Sequence, residues 1–192
     1  MMLKNKKIGF AFTGSFCTFS TVISELENLK KQECDILPVM SMNAYSTDTR
    51  FGTCESFVNK IESICENKVI HTIAQAEPIG PRKLLDLLII APCTGNTLAK
   101  LAYGITDTSV TLAAKAHLRN DRPVLVAIST NDGLTNAAKN IGMLHNNRNY
   151  YFVPYCQDDF LGKPNSLVAD FSQIITSAKS ALSGIQLQPM LK

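Results

Sequence analysis

At 192 residues the chain is one domain by ordinary domain size, long enough to bury a full core without a disulfide or metal staple. Nineteen Lys and Arg against sixteen Asp and Glu leave a formal charge of +3, too mild for the concentrated basic face of a nucleic-acid binder. Hydrophobic residues at 45% with charged residues at 18% exclude disorder, and ten Gly and eight Pro exclude low-complexity or collagen-like architecture.

Ile8 to Phe12 is a short unbroken apolar run, the pattern of a strand buried on both faces, and it ends at Thr13-Gly14-Ser15. From about Thr18 to Gln32, Val22, Ile23, Leu26 and Leu29 form one helical stripe. Asp35 to Ser41 reads as a second strand, its Pro38 pointing to an edge or a bulge. Met42 to Gly52 is polar and irregular and is expected to be a mobile loop. Phe57, Val58, Ile61, Ile64 and Cys65 recur at helical spacing, Lys68 to Ile73 is a candidate short strand, and Ala74 to Pro81 cannot be a helix interior. Leu84 to Ala91 is the most apolar run and reads as a central strand, followed by a turn from Pro92 to Thr97. A helix from Leu98 stops at Gly104, and another spans Thr108 to Arg119. Pro123 to Ser129 is a strand, about Leu134 to His145 a helix, and Tyr150 to Tyr155 the last strand. After a loop from Cys156 to Asn165, Leu167, Phe171, Ile174, Ile175, Ala178 and Leu182 trace a final helix capped by Asn165 or Ser166. The core is expected over about 6–183, with 184–192 a flexible tail.

Repeated alternation of strand and helix predicts a single-domain α/β, Rossmann-like three-layer sandwich around a mainly parallel sheet. Ligands of such sheets bind beyond the carboxyl ends of the strands. The loops to weigh are therefore Thr13-Gly14-Ser15, Ser41-Met42-Asn43, Pro92 to Thr97 and Ser129-Thr130-Asn131. All are rich in hydroxyls, amides and Gly and poor in charge. One reading is plain helix capping, which favours Ser, Thr and Asn. The other is a phosphate held at helix N-termini, and four such loops on one sheet edge favour it.

Absent motifs narrow the ligand. Gly9 and Gly14 have GxxxxG spacing, but Ser15-Phe16 stands where a phosphate-binding loop needs Lys-Ser/Thr. No GxGxxG follows the first strand and no acidic residue ends the second, so a self-contained NAD site is not expected. A mononucleotide such as FMN fits neutral donors better. The six cysteines Cys17, Cys34, Cys54, Cys65, Cys93 and Cys156 form no CxxC, so no metal site is expected. With no apolar stretch of about 20 residues and no signal-peptide core, the expectation is a cytoplasmic protein with reduced thiols and no membrane partner.

The segment Pro92-Cys93-Thr94-Gly95-Asn96-Thr97-Leu98-Ala99-Lys100-Leu101-Ala102-Tyr103-Gly104-Ile105-Thr106-Asp107 resembles the P-x-S/T-x-N-T-x-A-K-x-A-x-G-x-x-D signature of the FMN-binding flavoproteins. That family includes phosphopantothenoylcysteine decarboxylase, lantibiotic peptidyl-cysteine decarboxylases and flavin prenyltransferases. More narrowly, AEPIGPRKLLDLLIIAPCTGNTLAKLA, AAKAHLRNDRPV, AISTNDGLTNAAKNIG and QDDFLGKPNSLVAD are similar to the family of dipicolinate synthase B subunits, over roughly residues 6–180. The resemblance implies that Gly14, Ser15 and Ser41 meet the FMN phosphate, and that Thr94, Gly95, Asn96 and Thr97 meet the ribityl chain and ring. Ser129 and Thr130 join the cofactor site, in a stretch where decarboxylases carry P-x-M-N-x-x-M; here only Asn131 survives, with Ile128 for Pro and Leu134 for Met. His71 and Asn131 are the candidate catalytic residues, although His71 lies 92 − 71 = 21 residues before Pro92, farther than the family spacing.

The resemblance further implies an oxidoreductase component taking part in oxidation of dihydrodipicolinate to dipicolinate during sporulation, in the mother-cell cytoplasm of a spore-forming bacterium. FMN would sit on this chain and NADP or NAD on a partner, the dipicolinate synthase A chain, with a small dicarboxylate as substrate. A homo-oligomer, trimer or dodecamer, is expected. The alternatives are a non-catalytic FMN- or anion-binding scaffold and an FMN-dependent cysteine decarboxylase. Of the remaining polar candidates, Cys93 reads as a buried spacer, Asp158-Asp159 as surface or a cation ligand, and His117-Leu118-Arg119 with Arg122 as a helix end or an anion guide.

Overall fold

Unbroken apolar runs make the centre of the molecule because helices cover both faces of the strands they form. In the computed structural model, which describes residues 2–192, these are β1 (Lys7–Phe12), β3 (Leu87–Cys93) and β4 (Val124–Thr130), with β2 (Asp35–Met40) outside β1. All of β3 is buried, as is all of β1 after Lys7. Truncating one such Ile or Leu to Ala costs about 2–5 kcal/mol. The parallel register sets Ile8 against Ile36 on one side and Leu87 on the other, and Leu88 against Val124. Pro38 is tolerated because β2 is nearly an edge: beyond it lies only a single bridge from Val39 to Ile70. That bridge is all that forms of the strand expected over Lys68 to Ile73.

The helices are α1 (Phe19–Lys30), α2 (Met42–Ser46), α3 (Cys54–Cys65), α4 (Ile73–Ala76), α5 (Gly95–Ala102), α6 (Ser109–Leu118), α7 (Ala138–His145) and α8 (Ile174–Ala181). α1 buries its predicted stripe of Val22, Ile23, Leu26 and Leu29. It shares one face of the sheet with α8, while α4 to α7 contact one another on the other face. The Ala-rich α6 is buried on most sides, and the chain passes close enough that a Cβ on Gly80 would lie 2.7 Å from the Ala116 carbonyl oxygen. The expected α/β three-layer sandwich with a mainly parallel sheet is the observed fold, with seven strands among the described residues.

Four further expectations need correction. Met42 to Gly52 is not a slack loop: Ser41 caps α2, and Thr49 bridges Gly52. Pro78 does bar an α-helix, yet α4 occupies Ile73–Ala76 before it, and a 3-10 turn, Glu77–Ile79, admits the proline near its start. The strand expected over Tyr150 to Tyr155 divides into β5 (Tyr150–Phe152), parallel to β4, and β6 (Tyr155–Cys156). Leu167 starts no helix: β7 (Leu167–Ala169) runs antiparallel to both β4 and β6, and Asp170 caps the 3-10 turn that leads into α8. Residues 184–192, expected as a tail, make contacts with β5 and β6. The Gln186 side chain accepts the Phe152 amide and donates to the Phe152 carbonyl, both at 2.8 Å, and Leu191 bridges Tyr155. No helix among the described residues is long and apolar enough to cross a membrane.

Candidate functional site

Strand order β2-β1-β3-β4 makes the gap between β1 and β3 the switch point of the sheet, where α/β folds bind ligands. The two strand ends there are tied together. Buried Thr13 donates its hydroxyl to the Pro92 carbonyl at 2.7 Å and accepts the Thr94 amide at 3.0 Å. Thr94 caps α5, its hydroxyl accepting the Thr97 amide at 3.3 Å, and Ser41 caps α2 by accepting the Ala44 amide at 3.3 Å. Ser15 does not cap. Its hydroxyl shares a 2.7 Å hydrogen bond with the hydroxyl of Ser129, linking the loop after β1 to the end of β4. Capping thus accounts for Ser41 and Thr94 and leaves Ser15 available for another task.

Backbone donors converge on the same rim. Among the described residues, the amides of Gly14, Phe16, Cys17, Gly95 and Asn96 have no protein acceptor. A cavity of about 700 Å³ is lined by Gly14, Ser15, Phe16, Thr94, Gly95, Asn96, Ser129, Thr130 and Asn131. An adjoining one of about 290 Å³ shares Gly14, Thr94 and Asn96 and adds Ser41, Thr97 and Lys100. Every residue expected to meet the cofactor therefore lines one of two cavities with a common wall, although those residues come from four loops spread over more than a hundred positions.

Charge at the rim is mostly neutralised in place. Lys100 donates to both Asp107 oxygens, at 2.8 and 2.9 Å, which holds that carboxyl below its usual range. Burial opposes ionisation of Asp158, but hydrogen bonds from Ser166 and from Lys163, at 3.2 Å, outweigh it and keep the carboxyl low. Asp132 accepts the Thr130 hydroxyl at 2.5 Å, and a Cβ on Gly95 would come within 2.7 Å of both oxygens. Only Gly gives α5 this close approach to the end of β4.

Hydroxyls and unbonded amides at the start of a helix suit a phosphate. Phe16, Phe51 and Leu167 supply apolar wall beside them, and the cavity is of ordinary ligand size. The donor set fits FMN.

The candidate catalytic residues part company. Asn131 lines the larger cavity, whereas His71 lies in a separate groove between α2, α3 and α4, stacked on Tyr45 at 3.8 Å and 3°. His117 is no anion guide. It is buried and bonded through Nε2 to the Pro123 carbonyl at 3.0 Å, and burial lowers its pKa to about 4. Cys93 is buried, which pushes its thiol far above the ordinary range and leaves it inert. Among the described residues no cluster of metal ligands forms, and the Asp159 carboxylate instead accepts the Gly162 amide at 2.8 Å. Met40 is core, but Met42 is exposed at the rim of the smaller cavity. Sequence reasoning passed over Arg50, Phe51, Lys163 and Leu167, which the hairpin before α3 and the β6–β7 extension bring to the larger cavity.

Comparison with known proteins agrees with this geometry. The family model described as Flavoprotein matches residues 1–178. The dipicolinate synthase B subunit of Bacillus subtilis (strain 168) is 44% identical over 189 residues, 98% of this chain and 94% of that protein. The crystal structure of the dipicolinate synthase B subunit from Bacillus halodurans superposes with a TM-score of 0.92 at 41% identity, covering 100% of this chain and 98% of the other. The FMN-dependent cysteine decarboxylase SpaF shares the fold alone, with a TM-score of 0.71 at 19% identity over 95% of this chain and 99% of its own. The chain belongs to the flavoprotein family and, within it, to the group of dipicolinate synthase B subunits.

Proposed function

We propose that this chain binds FMN at the β1/β3 rim and, with a separate nicotinamide-binding A chain, takes part in oxidation of dihydrodipicolinate to dipicolinate. One observation carries the reading: Gly14, Ser15, Asn96 and Ser129 meet in one cavity of a chain that is 44% identical to a dipicolinate synthase B subunit over 98% of its length. In this reading Gly14, Ser15 and the free amides of the turn after β1 hold the phosphate, with Ser41 on the other side of the shared wall. Thr94 to Thr97, Ser129 and Thr130 orient the ribityl chain and ring. Asn131 offers an amide donor for substrate, and Phe16, Phe51 and Leu167 keep water from the ring.

The reaction aromatises a dihydropyridine by removing two electrons and two protons, as a hydride and a proton, with nicotinamide on the A chain as the final acceptor. FMN, when bound, supplies an acceptor for an electron pair that no side chain of this protein can take. The reading also carries a homo-oligomer in the mother-cell cytoplasm of a sporulating bacterium.

A second reading, a scaffold that binds an anion without chemistry, draws on the make-up of the larger cavity. Among the described residues it is lined by no histidine, and its cysteine, Cys17, is exposed. Purification separates the two. The first reading predicts a yellow protein that releases FMN on denaturation, and substrate oxidation that requires both chains and stops when FMN is stripped. A colourless chain that refuses added FMN, or full activity of the two chains without flavin, overturns it in favour of the scaffold.

A further inference from the structure

The hairpin before α3 is held firmly against the rim. Thr49 and Gly52 exchange two backbone hydrogen bonds of 3.1 Å, and Asp48 accepts the Cys54 amide at 2.8 Å, fixing the hairpin to the first turn of α3. Gly52 has φ +149° and sits on the ring of Phe57, where a Cβ would fall 2.9 Å away. Phe57 packs edge-on against Phe19 at 5.0 Å, and Phe19 lies 5.1 Å from Phe16 in the cavity wall. This aromatic chain sets Arg50 and Phe51 at the mouth of the larger cavity.

Two cations line that cavity. Lys163 is already paired with Asp158, whereas Arg50 has no carboxylate within ion-pair distance and no hydrogen bond among the described residues. Its guanidinium lies over the Phe51 ring, 4.9 Å from the centroid. A guanidinium resting on a ring keeps its in-plane N–H edge for a ligand, and that fork matches a carboxylate in two parallel hydrogen bonds. The turn after β4 contributes the opposite charge, Asp132, so the site discriminates against a ligand that is anionic at every edge.

We propose that Arg50 is the specificity-determining anchor for one carboxylate of a small planar dicarboxylate, with Phe51 as the apolar plane beside it, so that this chain contacts substrate directly. The proposal rests on the functional reading above for the substrate class and for the placement of the FMN phosphate among uncharged donors. It gives Arg50 a role separate from that phosphate.

The test is calorimetric titration of the purified chain, with and without FMN, using pyridine-2,6-dicarboxylate and pyridine-2-carboxylate on wild type, Arg50→Gln and Arg50→Lys. FMN affinity and thermal midpoint are measured on the same samples. Arg50→Gln should weaken the dicarboxylate by about tenfold or more, the scale of one charge-assisted anchor. Arg50→Lys should fall between, because an ammonium cannot make the paired contact. FMN affinity should stay within about twofold and the thermal midpoint unchanged, since Arg50 is exposed. Equal dicarboxylate affinity in Arg50→Gln overturns the proposal, as does a wild-type chain that takes up none. A parallel loss of FMN affinity also overturns it, by assigning Arg50 to the phosphate. Dicarboxylate binding that needs Arg50 in a chain refusing FMN upholds the anchor and refutes the flavin reading alone.

Discussion

Adding one methyl group at Gly95 tests the close approach on which the rim is built. Gly95 opens α5, and an ideal Cβ there would lie 2.7 Å from Asp132 Oδ1 and 2.7 Å from Thr130 Oγ1. Ordinary contact begins at 3.4 Å, so the methyl is 3.4 − 2.7 = 0.7 Å too close to each oxygen. The Asp132 carboxylate can rotate away, but Thr130 Oγ1 sits one bond from the Cβ of a residue in β4 and has less room. Overpacking of this kind costs about 1–3 kcal/mol. Taking the middle of that range, about 2 kcal/mol, and a return of up to about 1 kcal/mol from the better helix propensity of Ala, Gly95→Ala is less stable by about 1–2 kcal/mol. For a chain of this length that lowers the thermal midpoint by about 2–8 °C. Denaturant and thermal unfolding measure the loss, and flavin fluorescence quenching should show FMN bound at least about tenfold more weakly. Adding Thr130→Ala should recover part of the stability, a non-additivity above about 0.5 kcal/mol. A Gly95→Ala protein as stable as wild type with unchanged FMN affinity would refute the packing argument and the placement of the cofactor together.

Two further outcomes are expected. Ser15→Glu sets a carboxylate where the phosphate is read to lie and should abolish measurable FMN affinity at pH 7, while Ser15→Ala retains most of it; equal affinity in Ser15→Glu would move the phosphate elsewhere. Stability should fall on acidification, because desolvation lowers buried His117 from the ordinary 6.5 to about 4 despite its bond to the Pro123 carbonyl. The unfolded chain takes up that proton first, so stability is intact above about pH 6.5 and is lost as pH falls towards 4. The gap of 6.5 − 4 = 2.5 pKa units is worth about 3 kcal/mol, and half-buried His145, also lowered by desolvation, adds in the same direction. Urea unfolding at pH 7, 5.5 and 4.5 measures the slope, and a flat profile, or one left unchanged by His117→Asn, contradicts the assignment.

What could be read from the residues alone followed from burial on two faces. Ile8 to Phe12, the core of Leu84 to Ala91, and Pro123 to Ser129 announce β1, β3 and β4 because a central strand has no polar side to confuse the pattern. The four rim loops follow from those strand ends. Short elements were hidden. Leu167, Phe171 and Ile174 are spaced four and three apart, which mimics a helical stripe, yet Leu167 belongs to a three-residue strand formed by pairing with Ser129 and Thr130. α2 has five residues, too few for periodicity to show, and only its Ser41 cap marks it. Arg50 was passed over for another reason. Nothing local distinguishes an exposed Arg in a polar stretch, and its position follows from Gly52 seating on Phe57, which packs on Phe19, a contact between segments far apart in sequence. His71, near the central strand in sequence, lies in the groove between α2, α3 and α4 because Thr72 caps α4 and turns the chain away from β3.

In the function proposed above, uncharged groups at the β1/β3 rim grip the phosphate of a flavin mononucleotide. Parallel titration of the purified chain with FMN and with riboflavin, which differ only in that phosphate, tests it most directly. FMN should bind at least about a hundredfold tighter than riboflavin, equivalent to about 2.7 kcal/mol, with the preference lost in Ser15→Glu. Equal affinity for the two, or no affinity for FMN, would contradict it.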